Sequence, residues 1–431
     1  MFLLYNMIRV SKVLGTQFEY NNKSATKGDN LMKCTRQITD DLYYVGSSDR
    51  RITLFENCFP LSDGMAYNSY LLIDEKTVLF DTVDYAIGRQ FIDNVTSLLD
   101  NRKLDYLVVH HMEPDHCSLI TQLISLYPQL KIVGNKKTAG LISQFYHVDM
   151  TEHFIFVNEG DTISTGKHNL KFIMAPMVHW PEVMFTYDET DKVLFSADAF
   201  GTFGALDGRI FNDELDYRNS FRDEARRYYA NIVGKYGAQV QAVFKKLPAE
   251  IAYICPLHGP VWRKDIPFFL EKYQAWSTYT PEENGVFIAY ASMYGNTELA
   301  AHLLSTKLAE RGITNMKVVD VSAHHYSSHI SDIFKYSVVV FASASYNMSV
   351  HPKMNELLTE MRELTVRNRA YAVIENGSWA PSAGKTIKAT VDGLKDMRQI
   401  GETLTIKSAI MEEQEEKLDE LARLIAEEVE D

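Results

Sequence analysis

The sequence predicts an α/β chain: a sheet sandwich flanked by helices, followed by a doubly wound parallel sheet. Three observations carry this reading. Hairpin-like apolar runs mixed with a strand–helix–strand pattern fill the first half. Regular strand–helix alternation fills the stretch after residue 285. Between them lies a polar segment, Ser277-Thr-Tyr-Thr-Pro-Glu-Glu-Asn-Gly285, punctuated by Pro281 and Gly285. A chain of 431 residues also exceeds one ordinary hydrophobic core.

In the first half, Asn68 to Ile73 and Val78 to Asp81 flank the turn Asp74-Glu75-Lys76 and read as a hairpin. Ile87, Phe91, Val95, Leu98 and Leu99 recur at helical spacing. Tyr106 to Val109 is a short apolar strand, and Lys171 to Met174 and Lys192 to Phe195 are two more. In the second half Val286 to Tyr290 is a strand. It runs into a helix, Thr297 to Arg311, for which Gly312 is the expected C-cap. Val318 to Val321, Val338 to Ala342, Ala370 to Ile374 and Leu404 to Ile406 continue the strands, and Leu418 to Val429 is a closing amphipathic helix. The expected organisation is a loose extension over 1–32, one domain over 33–280 and a second over 285–431.

Bulk composition narrows the function. The net charge of −13 argues against a nucleic-acid or anionic-membrane partner. No apolar run is long enough to span a bilayer. Near the start, Arg9 and Lys12 follow the apolar stretch, the reverse of a secretory signal. Cys34, Cys58, Cys117 and Cys255 are far apart and form no C-x-x-C pair, which excludes a Cys-ligated metal module and favours the cytoplasm.

The most informative segment is Val108-Val-His-His-Met-Glu-Pro-Asp-His-Cys-Ser118. A buried strand ends there and potential ligands follow at once. Pro114 is expected to keep the segment a loop. His111 and Glu113 can face one ion while Asp115 and His116 face another. Packed this closely, two carboxylates and two histidines repel and desolvate badly without a cation. Three later residues can complete the shells: His179, Asp198 and His258 each follow an apolar run. Three carboxylates and four neutral imidazoles against two divalent ions leave one positive charge, which a bridging hydroxide neutralises. Asp198 is the expected bridging carboxylate. His147, His153, His168, His302, His324, His325 and His329 receive no role, since a lone histidine after a strand is ordinarily a loop residue.

The second half carries three loops at strand ends. Ser292, Met293, Tyr294, Gly295, Asn296 and Thr297 precede a helix N-terminus, where hydroxyls and backbone N–H groups favour a phosphate. The stretch lacks the G-K-[ST] ending of a nucleoside-triphosphate loop, so a monophosphate fits better. Ser343, Ala344, Ser345, Tyr346 and Asn347 form the second loop, and Asn376, Gly377, Ser378 and Trp379 the third. All three sit where ligands of open α/β sheets collect. Tyr346 and Trp379 offer flat faces to a ring.

The pattern His111-x-Glu113-x-Asp115-His116, then His179, Asp198 and His258, resembles the metallo-β-lactamase fold, and within it the flavodiiron proteins, also called A-type flavoproteins. The stretches His179-Trp-Pro-Glu-Val-Met-Phe-Thr-Tyr187 and Cys255-Pro-Leu-His-Gly-Pro-Val-Trp262 are also similar to that family. Zinc hydrolases of the fold carry His where Glu113 stands, and the harder carboxylate favours iron. The second half resembles a flavodoxin, with Ser292 to Thr297 as its FMN phosphate loop. Its Ala380-Pro-Ser-Ala-Gly384 stretch departs from the family's usual third loop.

The resemblance implies a metallo-β-lactamase-like αββα sandwich, a flavodoxin-like sheet, FMN and two non-haem irons. It implies that His111, Glu113 and His179 hold the iron nearer the flavin, that Asp115, His116 and His258 hold the other, and that Asp198 bridges. The implied activity is reduction of dioxygen to water, nitric oxide to nitrous oxide, or both, as stress protection in an anaerobe or microaerophile. Dioxygen is the expected main substrate. The implied assembly is a head-to-tail homodimer or a dimer of dimers. The expected electron donor is external, a rubredoxin or rubredoxin-like reductase, because the chain lacks the two Cys pairs of a fused rubredoxin. Two readings compete. One is a zinc-dependent hydrolase joined to a flavodoxin-type electron carrier. The other is a non-catalytic carrier with a relic metal site. Family members often carry a His near Asp63-Gly64-Met65; here Asp63 and Met65 occupy that neighbourhood, which leaves the gas preference open.

Overall fold

The computed structural model describes residues 33–217 and 221–430. The expected extension over 1–32 lies outside them. The described residues from Cys34 onward form one compact unit.

Two facing sheets build the first half. The larger has seven strands in the order Arg36–Gln37, Leu42–Tyr44, Tyr70–Ile73, Thr77–Phe80, Tyr106–Val108, Lys131–Gly134 and Phe154–Phe156. Tyr70–Ile73 and Thr77–Phe80 pair antiparallel, which is the expected hairpin, and Tyr106–Val108 joins in parallel. The second sheet runs Thr162–Ser164, Asn169–Met174, Met184–Asp188, Val193–Phe195 and Tyr253–Cys255. Strand residues alternate in direction. Tyr70, Leu72, Val78, Phe80 and Val108 meet Phe172, Met184, Val193 and Phe195 between the sheets. The rings of Phe80 and Phe195 stack there at 3.8 Å. The intervening residues Leu71, Leu79, Leu107 and Ile132 turn outward against Phe91, Val95 and Leu99 of the helix Gly88–Leu99. Each such buried side chain contributes roughly 1.5–3 kcal/mol by leaving water.

The second half is a sheet with the strand order Met316–Asp320, Glu283–Ala291, Tyr336–Tyr346, Arg369–Asn376 and Met397–Gln399. Leu404–Ile406 also pairs with Arg369–Asn376, and these pairings are all parallel. Its central strands are buried on both faces and read as continuous apolar runs. Helices Asn296–Glu310 and Glu412–Glu430 cover one face through Leu304, Leu308, Leu418 and Ile425. Tyr326–Lys335, Pro352–Glu363 and Ala383–Val391 cover the other. The expected doubly wound parallel architecture is therefore present. Among the described residues no helix is long and apolar enough to cross a membrane.

One sequence expectation needs correction. Pro114 does not prevent a helix: it opens one, Pro114–Cys117, from its first position. There its missing N–H is one that no helix satisfies internally, and its fixed φ already suits the turn. The polar boundary segment Ser277 to Gly285 is packed into the fold. Tyr279 is buried in the core, and the Glu282 side chain is fully buried against Arg226 at 2.9 Å. Arg226 also donates to the Ser331 carbonyl at 3.1 Å, so it ties the two halves together.

Candidate metal centre and flavin cavity

Strand ends deliver the seven candidate ligand residues. His111 and Glu113 follow Tyr106–Val108, Asp115 and His116 lie in the one-turn helix, and Asp198 and His258 follow the strands Val193–Phe195 and Tyr253–Cys255. His179 lies in the connection between Asn169–Met174 and Met184–Asp188. The backbone N–H groups of His110 and His111 donate to Asp81 Oδ1 at 2.7 and 3.3 Å, which fixes the start of the loop.

The seven side chains converge in two groups. His111, Glu113, His179 and Asp198 form one, and Asp115, His116 and His258 the other. In the first, Nε2 of His179 lies 3.2 Å from Glu113 Oε2 and 3.1 Å from Asp198 Oδ2. His111 Nε2 lies 3.1 Å from Glu113 Oε2 and 3.5 Å from Asp198 Oδ2. In the second, His116 Nε2 lies 3.3 Å from Asp115 Oδ2, and His258 Nε2 lies 3.4 Å from the same oxygen. Asp198 turns its other oxygen to this group, with Oδ1 3.2 Å from His116 Nε2. One carboxylate thus faces both clusters.

Electrostatics show what the cluster needs. Burial acts to raise the Asp198 carboxyl, yet the His116 and His111 imidazoles hold it well below the usual carboxylate range. Burial likewise opposes protonation of His179, but Asp198 and Glu113 push it up to about 9. Without a cation, protons on the histidines must neutralise the carboxylates. Both oxygens of Asp115 and Oδ1 of Asp198 are buried with no hydrogen-bond partner among the described residues. Such orphaned acceptors beside converging imidazoles fit a pair of metal ions.

Sequence reasoning missed several residues here. A pocket of about 380 Å³ opens beside Glu113, Pro114 and Asp115, and Glu56, Asn57 and Tyr67 line it. Burial, and then the charge of Glu113, push the Glu56 carboxyl up to about 8. Asp63 and Met65 do not line it: Asp63 pairs with Arg50 at 2.8 Å, and Met65 is buried in the core. Tyr228 packs its ring 5.6 Å from that of His258, and its buried hydroxyl has no hydrogen-bond partner among the described residues. Glu182 stands behind His111. The stretch around Glu182 carries a family resemblance, but nothing in its spacing marks the residue.

The three loops of the second half enclose a cavity of about 260 Å³. Ser292, Met293, Tyr294, Asn296 and Thr297 line it, as do Ala344, Ser345 and Asn347 and the third loop Asn376, Gly377, Ser378 and Trp379. Gly295, Ser343 and Tyr346 are not part of its wall. Gly295 adopts φ +92°, which suits glycine, and donates its N–H to Ser292 Oγ at 3.1 Å, shaping the turn. Ser343 is buried and donates to the Ala344 carbonyl. Met348 and Ala380, at the ends of the second and third loops, also line the cavity, as does Ser408, which no sequence motif marks. Ser345 Oγ accepts the Ser382 and Ala383 N–H groups at 2.8 and 3.1 Å, so the departing 380–384 stretch is anchored from the second loop.

A paired His/carboxylate centre on an αββα sandwich, joined to a sheet with a strand-end cavity, defines a metallo-β-lactamase-like flavoprotein. Comparison with known proteins agrees. The model of the ODP family beta lactamase matches residues 65–259, and that of flavodoxin matches 288–420. A nitric oxide reductase of Moorella thermoacetica is 32% identical over 363 residues, covering 83% of this chain and 90% of that protein. The solved rubredoxin oxygen:oxidoreductase of Desulfovibrio gigas superposes with a TM-score of 0.84 at 29% identity, covering 92% of this chain and 98% of that one. A flavodiiron protein from Giardia intestinalis gives 0.81 at 26% identity over the same shares. This chain belongs to the flavodiiron protein family.

Proposed function

We propose that the chain is a diiron and FMN oxidoreductase that reduces dioxygen, nitric oxide or both. The observation that carries this reading is Asp198, whose two oxygens face separate trios: His111, Glu113 and His179 on one side, Asp115, His116 and His258 on the other. Each trio has two imidazoles and its own carboxylate, a donor set suited to iron. When bound, FMN takes up and passes on single electrons, and two adjacent irons bind the gas and supply electrons together.

The chain's own residues prepare that chemistry. Phe55, Tyr67 and Tyr228 surround the His258 ring at 5.4 to 5.6 Å and keep bulk water from it. Ser292 to Thr297 would hold the FMN phosphate at the start of the helix Asn296–Glu310. Trp379 and Tyr294 flank the cavity, 90% and 92% exposed, and offer flat surfaces to the ring or to a partner.

The flavin cavity and the metal-side pocket share no lining residue. This supports a head-to-tail homodimer, or a dimer of dimers, in which the flavin of one chain serves the irons of the next. It also supports residues 33–280 as the metal-binding domain and 285–431 as the flavin-binding domain, joined through Arg226, which pairs with Glu282 and reaches Ser331. An external donor, a rubredoxin or a rubredoxin-like reductase, supplies electrons. Four free thiols suit a reducing compartment, and we place the enzyme in the cytoplasm.

Metal and flavin analysis of purified protein tests the reading. Two irons and one FMN per chain are expected, with gas consumption that depends on both. Two zinc ions and no iron would favour the hydrolase alternative.

A further inference from the structure

The two metal positions have matched donors. Each sees two imidazole Nε2 atoms, one carboxylate of its own and one oxygen of Asp198. They differ in what stands behind the imidazoles. On the far side of His111, Nδ1 donates to Glu182 Oε1 at 2.9 Å, and the Met112 N–H donates to the same oxygen at 2.8 Å. Glu182 Oε1 thus accepts two N–H groups, and Oε2 is buried with no hydrogen-bond partner among the described residues, so a proton there would have no acceptor and the group is a carboxylate. The Glu182 side chain is fully buried. Behind His258, by contrast, Nδ1 donates to the neutral Ala66 carbonyl at 2.7 Å. Nδ1 of His116 has no hydrogen-bond partner among the described residues.

Other nearby carboxylates do not cancel this asymmetry. Asp81 accepts the His110 and His111 backbone N–H groups and so lies toward the same position as Glu182, while Glu56 lines the pocket beside both Glu113 and Asp115 and favours neither position. Asp84 is near Asp115, but it is only partly buried and already caps the Ala86 N–H at 2.7 Å. Water screens it.

A buried negative charge on the outer N–H of a ligand histidine raises the basicity of the inner nitrogen. Greater basicity favours the more highly charged metal. We propose that Glu182 is a positioning residue that makes the two irons unequal. Acting through His111, it stabilises the ferric form at the position of His111, Glu113 and His179. The first electron given to the pair therefore rests on the iron at Asp115, His116 and His258. This inference rests on the diiron reading.

Redox titration of the iron- and FMN-loaded enzyme tests it, with electron paramagnetic resonance reading the half-reduced iron pair and iron counted per chain. Glu182→Gln keeps an oxygen for both N–H groups and removes the charge. It should retain two irons and raise the ferrous-to-ferric ratio of the iron at His111, Glu113 and His179 about tenfold at a fixed potential, an upward shift of about 59 mV in the second midpoint, that of the half-reduced pair. Asp84→Asn should move the midpoint less. If Glu182→Gln loses iron, Glu182→Asp replaces it: the contact is weakened with the charge kept, and a smaller upward shift is expected. A wild-type midpoint in the variant that retains iron overturns the proposal, as does an Asp84→Asn shift equal to that of Glu182→Gln. Wild-type protein that holds no iron when supplied with it would instead refute the diiron reading itself.

Discussion

Nε2 of His116 and Nε2 of His258 stand 3.0 Å apart, with their rings inclined at 62°. Both nitrogens also face Asp115 Oδ2, which has no hydrogen-bond donor among the described residues. A cation at their meeting point satisfies all three. His258→Ala should remove the iron of this trio and leave the other, so iron content falls from two toward one per chain. Asp198→Asn touches both trios and should lose both. Elemental analysis checks the contrast, and equal losses in the two variants would count against a bridging Asp198.

The third flavin-side loop hangs on Asn376. Its Nδ2 donates to the Ser408 carbonyl at 2.9 Å, and its Oδ1 accepts the Ser408 N–H at 3.0 Å. Asn376→Ala removes both bonds from a buried site and should cost about 1–3 kcal/mol locally. FMN affinity should fall by tenfold or more, read by flavin fluorescence on dilution. Undiminished affinity would mean that the loop does not depend on this tie.

The halves are locked by Arg226 and Glu282, whose side chains are 2% and 0% exposed. Breaking a buried pair strands the remaining charge, at a cost of about 3–5 kcal/mol. Glu282→Ala should therefore lower the urea midpoint strongly, and Glu282→Gln less, because Gln still accepts from Arg226. A shift no larger than that of a surface variant would deny the lock.

Acid should loosen the second half through His329. Burial holds its imidazole at about 4, against a backbone contact from His324 and with help from the Lys317 charge. The unfolded chain protonates near pH 6.5, so between about 6.5 and 4 it binds the extra proton. Stability is complete above that window and lost as pH falls through it, by about 3 kcal/mol from this group. His329→Leu should flatten the fall in the urea midpoint between pH 7 and 5, and an unchanged slope would assign the sensitivity elsewhere.

Much of this was legible in the sequence because period and punctuation carried it. Val286 to Tyr290 sits inside the observed strand Glu283–Ala291, and Leu404–Ile406 coincides with its own. The seven metal-facing residues were visible because each is polar just past an apolar run. What escaped depends on tertiary contacts. Glu282 reads as a polar linker residue until Arg226, distant in sequence, is packed on it. Glu56 reaches the metal-side pocket through a turn in which Glu56 and Asn57 adopt φ of 50° and 54°, with no glycine to mark it. Pro114 was misread because proline stops a helix in its interior and favours one at its first turn.

The most direct test of the central claim is a gas-electrode measurement on anaerobically reduced protein carrying two irons and FMN, with dioxygen and nitric oxide supplied in parallel. At least one gas should be consumed, and Asp198→Asn should abolish most of that consumption. Consumption of neither gas by the fully loaded, reduced protein would contradict it.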